Sequence, residues 1–128
     1  MTKNKQSLLL IEDDHDLREA LQDRLRVLNI SVVSVKDGEE ALAALAQSKF
    51  NVILSDIGMP NISGLDFLKR IRADGNETPV LFMSAYDDRD RVLDALRNGA
   101  FDFLPKPVKS VELLAAVQRA LNSSVNVV

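Results

Sequence analysis

Short apolar runs and longer stretches of helical spacing take turns along this chain. Ser7 to Ile11 is a continuous apolar run that ends abruptly in Glu12-Asp13-Asp14. Val52 to Ser55 and Val80 to Met83 have the same character, the second set off by Pro79. Runs this short, bounded by turn residues, read as strands. Ile30 to Val35 is rich in β-branched residues and reads as a further strand, as does Phe101 to Leu104.

The intervening segments have helical periodicity. Leu17, Leu21, Leu25 and Leu28 form one stripe, which Asn29 is expected to end. Asp37-Gly38 opens a second helix, with Ala41, Leu42 and Leu45 on its buried face. Ser63 is placed to cap a third, with Leu65, Leu68 and Ile71 inward and Asp74-Gly75-Asn76 as the stop. The fourth is dense in charge from Asp87 to Arg91, leaving Val92, Leu93, Ala95 and Leu96 as core candidates and Gly99 as its end. Ser110 is expected to cap a fifth, with Val111, Leu114, Val117 and Leu121 on one face. Residues 1–6 are polar and expected to be disordered, residues 7–122 form one domain, and residues 123–128 are a tail without helical pattern.

Five strands alternating with five helices predict parallel βαβ units in an α/β, doubly wound sheet. Strands with so little period-two alternation predict a sheet covered on both faces. The 128 residues suit one core, and 46% hydrophobic with 27% charged residues is an ordinary globular balance. A net charge of −3 without a basic stripe argues against direct nucleic-acid binding. The absence of cysteine excludes disulfides and thiolate chemistry and fits a cytoplasmic location. The run Leu8 to Ile11 is too short to span a membrane.

The chemistry concentrates at the carboxyl ends of the strands, where open α/β sheets bind ligands. Glu12 and Asp13 follow the first strand, Asp56 follows the third, and Lys106 lies just past the fifth. Like charges gathered at one edge repel and raise one another's pKa. A Mg²⁺ ion, which takes a few carboxylate oxygens plus water and phosphate oxygens, relieves that repulsion. One such ion and one lysine neutralise three carboxylates. Taken singly, the acids have plainer readings: Asp14 or Asp16 caps the first helix, and Asp56 before a Pro-containing loop suits an ordinary turn. The conjunction points to Asp56 as a nucleophile that accepts a phosphoryl group.

These residues resemble the receiver domain of bacterial response regulators over essentially the whole chain. The resemblance rests on Leu9-Leu10-Ile11-Glu12-Asp13-Asp14, on Ser55-Asp56-Ile57-Gly58-Met59-Pro60 with Gly64, on Met83-Ser84-Ala85 and on Lys106-Pro107. It implies a (βα)5 flavodoxin-like fold with strand order 2-1-3-4-5. It implies Asp56 as phospho-acceptor, Mg²⁺ as cofactor held by Asp13, Glu12, Asp56 and the Gly58 carbonyl, Ser84 as the switch hydroxyl, and Lys106 as the site lysine before a cis peptide bond. Phe103 falls at the aromatic switch position, where many relatives carry tyrosine. The residues that tune phosphoryl lifetime in such domains are here Gly58, which has no side chain to position water, and Tyr86, expected to shield the group.

The same resemblance implies a domain that modifies only itself. Its phosphoryl donor is a sensor histidine kinase, a histidine phosphotransfer protein or a small acyl phosphate, since the one histidine, His15, is expected at the surface. Its partner is a downstream effector domain or protein, reached through the fourth helix, fifth strand and fifth helix, with phosphorylation-dependent dimerisation compatible with that face. Gly99 to Pro107 is similar to receivers attached to transcriptional-activator ATPases. Two other readings compete. An Asp-nucleophile Mg²⁺-dependent phosphatase usually carries a second Asp where Gly58 stands, and a docking-only domain has no need of the intact acidic set.

Overall fold

A computed structural model of the chain describes residues 5–85 and 87–125. The expected alternation is present: β1 (Ser7–Ile11), α1 (His15–Leu25), a 3₁₀ turn (Arg26–Leu28), β2 (Ser31–Val35), α2 (Gly38–Gln47), β3 (Val52–Asp56), α3 (Gly64–Ala73), β4 (Val80–Ser84), α4 (Arg89–Arg97), β5 (Asp102–Pro105) and α5 (Ser110–Val125). The strands form one parallel sheet in the order β2-β1-β3-β4-β5, as expected.

Both faces of the sheet are covered, which explains the unbroken apolar runs. Alternate residues feed opposite cores. Leu8, Leu10, Val52, Leu54, Leu81 and Met83 pack with α1 and α5. Leu9, Ile11, Ile53, Val80 and Phe82 pack with α2, α3 and α4. Leu8, Leu9, Leu10 and Ile11 are all fully buried, each contributing roughly 1.5–3 kcal/mol of transfer free energy. Register then aligns the strand ends. Ile11 pairs with Ser55, and Asp56 with Met83, so the residues that follow emerge along one edge.

Local signals placed most helix ends. Asp14 accepts from the Leu17 amide at 3.1 Å, Asp37 from Glu40 at 2.8 Å and Ser63 from Asp66 at 3.1 Å. Asn29, at φ 53°, closes the 3₁₀ turn in the left-handed conformation that Asn tolerates.

Several expectations need correction. In α4 only Val92 and Ala95 are buried; Leu93 and Leu96 are 39% and 36% exposed, because the helix rests on the sheet along one narrow line. In α5 the buried face is Leu113, Ala116, Val117, Ala120 and Leu121, while Val111 is exposed. That stripe obeys i, i+3, i+4 spacing, but its alanines carry little hydrophobic signal. Ser110 is the first helical residue and not the cap, since the Lys109 carbonyl accepts from Leu113 at 2.9 Å. The helix runs on to Val125, beyond the expected end of its pattern. β5 begins at Asp102 and ends in Pro105, which an edge strand accepts because one side of its backbone needs no partner. At the other end of the chain, Gln6 already joins the sheet margin, its carbonyl accepting from the Ser31 amide at 2.9 Å. The remaining expectations for the termini concern residues 1–4 and 126–128, which lie outside the described residues. Among the described residues no helix is long and apolar enough to cross a membrane.

Candidate functional site

The site is assembled by extending three strand ladders past their last regular pairs. The Glu12 amide donates to the Val35 carbonyl at 3.1 Å, carrying β1 one residue further. The Ile57 amide donates to Met83 O at 2.9 Å and fixes the exit of β3, while the Lys106 amide donates to Ser84 O at 2.8 Å and fixes the exit of β5. Backbone bonds therefore hold Glu12, Asp56, Ser84 and Lys106 at the same edge. The Lys106-Pro107 peptide bond is cis, as expected.

Lys106 is the centre of the arrangement. Its Nζ donates to Asp56 Oδ2 at 3.1 Å and to Glu12 Oε1 at 3.2 Å. Burial alone would lower its pKa; the hydrogen bond and charge of Asp56, with those of Glu12, outweigh burial and raise it. Glu12 is 1% exposed. Loss of hydration pushes its carboxyl pKa up, against the Asp14 amide, which donates to Oε2 at 3.1 Å, and against Lys106. The nearby Asp56 charge pushes it up further.

Asp13 is exposed, one residue past the buried Glu12. Glu12, Asp13 and Asp56 each bring a carboxylate oxygen within 4.8 Å of the others. An oxygen-only donor set of three carboxylates, one of them open to water, fits a hard divalent cation such as Mg²⁺. Gly58 lies beside them, its amide donating to Asp56 Oδ1 at 3.1 Å.

The loop after β3 is braced from below. The Ser55 hydroxyl reaches the Asp56 carbonyl at 2.9 Å and Met59 Sδ at 3.2 Å. The Gly64 amide donates to Ile57 O at 3.0 Å. Gly64 admits no side chain: a Cβ there would lie 2.8 Å from Phe82 Cε1 and 2.9 Å from Ile57 O.

Ser84 is 4% exposed and lines a groove of about 320 Å³ with Ala85, Arg89, Val92, Leu93, Leu96, Phe103 and Pro105. Phe103 is 39% exposed at its wall, so it is not an ordinary core aromatic here. Tyr86, expected to shield the site, lies outside the described residues. His15 is exposed, as expected, 3.5 Å from Glu19 and 3.2 Å from Arg18.

Two arginines at the site were not singled out by the sequence. Arg18 Nη1 donates to the Glu12 carbonyl at 2.6 Å and clamps the acidic turn from the first turn of α1. Arg91 reaches from α4 to the space above Gly58, 3.3 Å from where a Cβ would sit. A long cation displays its target only in three dimensions, and neither residue belongs to a recognisable spacing.

Comparison with known proteins adds independent support. A family model described as the response regulator receiver domain matches residues 8–118. Response regulator protein FleR of Pseudomonas aeruginosa is 43% identical over 112 residues, 88% of this chain and 24% of that protein. DNA-binding transcriptional regulator NtrC of Salmonella typhimurium is 39% identical over 113 residues, again 88% and 24%. The chain thus spans about a quarter of the length of these curated relatives. A crystal structure of a response regulator receiver domain protein from Clostridium thermocellum matches with a TM-score of 0.88 at 25% identity, covering 94% of this chain and 97% of that one.

Proposed function

This chain belongs to the response-regulator receiver family, a family of signalling domains, and we propose that it works as a switch thrown by a phosphoryl group on Asp56. The observation that carries this reading is Lys106, held between Asp56 and Glu12 at the edge where three carboxylates meet.

Asp56 is the acceptor. One of its carboxylate oxygens forms a bond to phosphorus as the bond from phosphorus to the donor atom breaks, and the donor leaves with that electron pair. Glu12, Asp13 and Asp56, with the Gly58 carbonyl, would hold Mg²⁺. When bound, that ion supplies positive charge to the phosphoryl oxygens. Lys106 is already within hydrogen-bond distance of Asp56 and donates to the new group. Esterification replaces one negative charge by about two, so the attraction between Lys106 and the acceptor side chain grows.

Ser84 donates its hydroxyl to a phosphoryl oxygen and leaves the groove wall. Phe103 turns into the space beside it. A phenylalanine has no hydroxyl to pair, so the inward position is favoured by burial. Covering a ring that is 39% exposed contributes about 1 kcal/mol, enough to bias two packings of similar energy. The altered surface is the face built by α4, β5 and α5, which also serves any dimer formed on activation.

The donor is a sensor histidine kinase or a histidine phosphotransfer protein, and the acceptor of the signal is an effector domain or protein. The similarity to NtrC, a DNA-binding transcriptional regulator, supports a transcriptional output. Gly58 offers no side chain to position water, which favours a long-lived phosphoryl state; a Tyr86→Ala variant that loses phosphate no faster removes the expectation that residue 86 shields the group.

Amide hydrogen exchange before and after addition of beryllofluoride with Mg²⁺ tests the switch. Changes confined to α4, β5 and α5, and lost in Ser84→Ala, are expected; unchanged exchange on that face contradicts it. Continuous release of inorganic phosphate from acetyl phosphate would instead favour the phosphatase reading.

A further inference from the structure

One cation at the mouth of the site has no role in the mechanism above. Arg91, in the first turn of α4, places Nη1 3.4 Å from Asp88 Oδ1. The same nitrogen is 3.3 Å from the Cβ position of Gly58, a point that is 3.9 Å from Asp56 Oδ1. The guanidinium therefore fills the space that a side chain at 58 would take. Asp88 is engaged on both sides. Its Oδ2 accepts from the Ala85 amide at 3.0 Å, and its side chain makes no capping bond to α4. A continuous path runs from the Ala85 amide, next to Ser84, through Asp88 and Arg91 to the space above Asp56.

We propose that Arg91 is a phosphoryl-binding residue, and that it exchanges Asp88 for the phosphoryl oxygens on Asp56 and so ties the acceptor's charge to the start of α4. This rests on Asp56 being the acceptor. Before phosphorylation, Arg91 faces two single carboxylate charges and keeps a long contact to the nearer. After it, the group beside Gly58 carries about two negative charges and three acceptor oxygens. A guanidinium fork matches those oxygens better than it matches one carboxylate oxygen at 3.4 Å. The contact it gives up is a long one, 3.4 Å, and although Asp88 is only 12% exposed, the 63% exposed Arg91 side chain leaves the pair open to solvent screening on the arginine side. Asp88, released, keeps the Ala85 amide and is left to bond the open end of α4. The first turn of that helix thus answers to the phosphoryl group by a route separate from Ser84 and Phe103. Glycine at 58 is part of the device, since any larger side chain competes for the same space.

The test is titration of the domain with beryllofluoride in saturating Mg²⁺, followed by calorimetry and by the Arg91 Nε resonance. Arg91→Ala should bind the probe about 3- to 10-fold more weakly while melting like the wild type. Arg91→Lys should recover part of that loss, and Asp88→Asn, which frees the guanidinium, should bind about 2-fold more tightly. The Arg91 Nε resonance should shift on binding. Affinity of Arg91→Ala within twofold of wild type, or an unmoved resonance, overturns the proposal. A wild type that takes up no beryllofluoride removes the Asp56 reading itself, which separates the two failures.

Discussion

Replacing Gly64 by alanine perturbs the site through the fold. The added Cβ would stand 2.8 Å from Phe82 Cε1, 2.9 Å from Ile57 O and 3.0 Å from Ile57 Cα. Two of these atoms are backbone, and the third belongs to a core ring that is 1% exposed, so nothing at hand is a flexible chain end. Overpacking of this kind costs about 1–3 kcal/mol, and the fixed neighbours favour the upper half. Alanine's better helix propensity returns at most about 1 kcal/mol. A net loss of about 2 kcal/mol corresponds to a melting point roughly 7 °C lower for a chain this long. Relief requires Ile57 to move, and Ile57 follows Asp56 directly, so phosphoryl uptake from acetyl phosphate should slow as well. Gly75 supplies the contrast. It sits at φ +84° with nothing within 4 Å of a Cβ, so Gly75→Ala costs backbone conformation only, about 1–2 kcal/mol. Gly75→Asn should recover much of this, since Asn tolerates that conformation, and neither variant should alter uptake. Differential scanning calorimetry reads the stabilities. A Gly64→Ala domain melting within about 2 °C of wild type would refute the steric argument.

Other consequences follow from burial and charge. Mg²⁺ should raise the melting point by relieving repulsion among Glu12, Asp13 and Asp56. Asp13→Asn, at an exposed position, should change metal-free stability by less than about 0.5 kcal/mol yet abolish that rise in thermal melts. Asp37→Ala removes the cap of α2 and should cost about 1 kcal/mol, or roughly 4 °C. Phe103→Ala should cost roughly 1 kcal/mol by urea denaturation, against about 3–5 kcal/mol for the fully buried Phe67→Ala.

The central strands were legible because burial on both faces leaves an unbroken apolar run, and each run stops where chemistry begins. Asp56 stands at such a stop and was found that way, whereas Ser84, the last residue of β4, came only from the family resemblance. Glu12 was legible as an acid but not as a buried one, because the cation that pairs with it there, Lys106, is contributed by the far edge of the sheet. The helices were harder where packing uses alanine. Ala95 in α4, and Ala116 and Ala120 in α5, are buried by close approach to the sheet, while the larger Leu93, Leu96 and Val111 look inward by hydropathy and face outward in the fold. Phe101 was read into the last strand because aromatics favour strands. Pro105 was left out because Pro argues against central ones. Arg18 and Arg91 act through guanidinium groups far from their own Cα atoms, and sequence spacing carries no trace of that reach.

The central claim is that Asp56 accepts a phosphoryl group. Intact mass of the domain after incubation with acetyl phosphate, with and without Mg²⁺, on wild type and Asp56→Asn, tests it directly. A gain of one phosphoryl group that requires Mg²⁺ and is missing from Asp56→Asn is the predicted result. An unmodified wild type without release of inorganic phosphate, or an equal gain on Asp56→Asn, would contradict it.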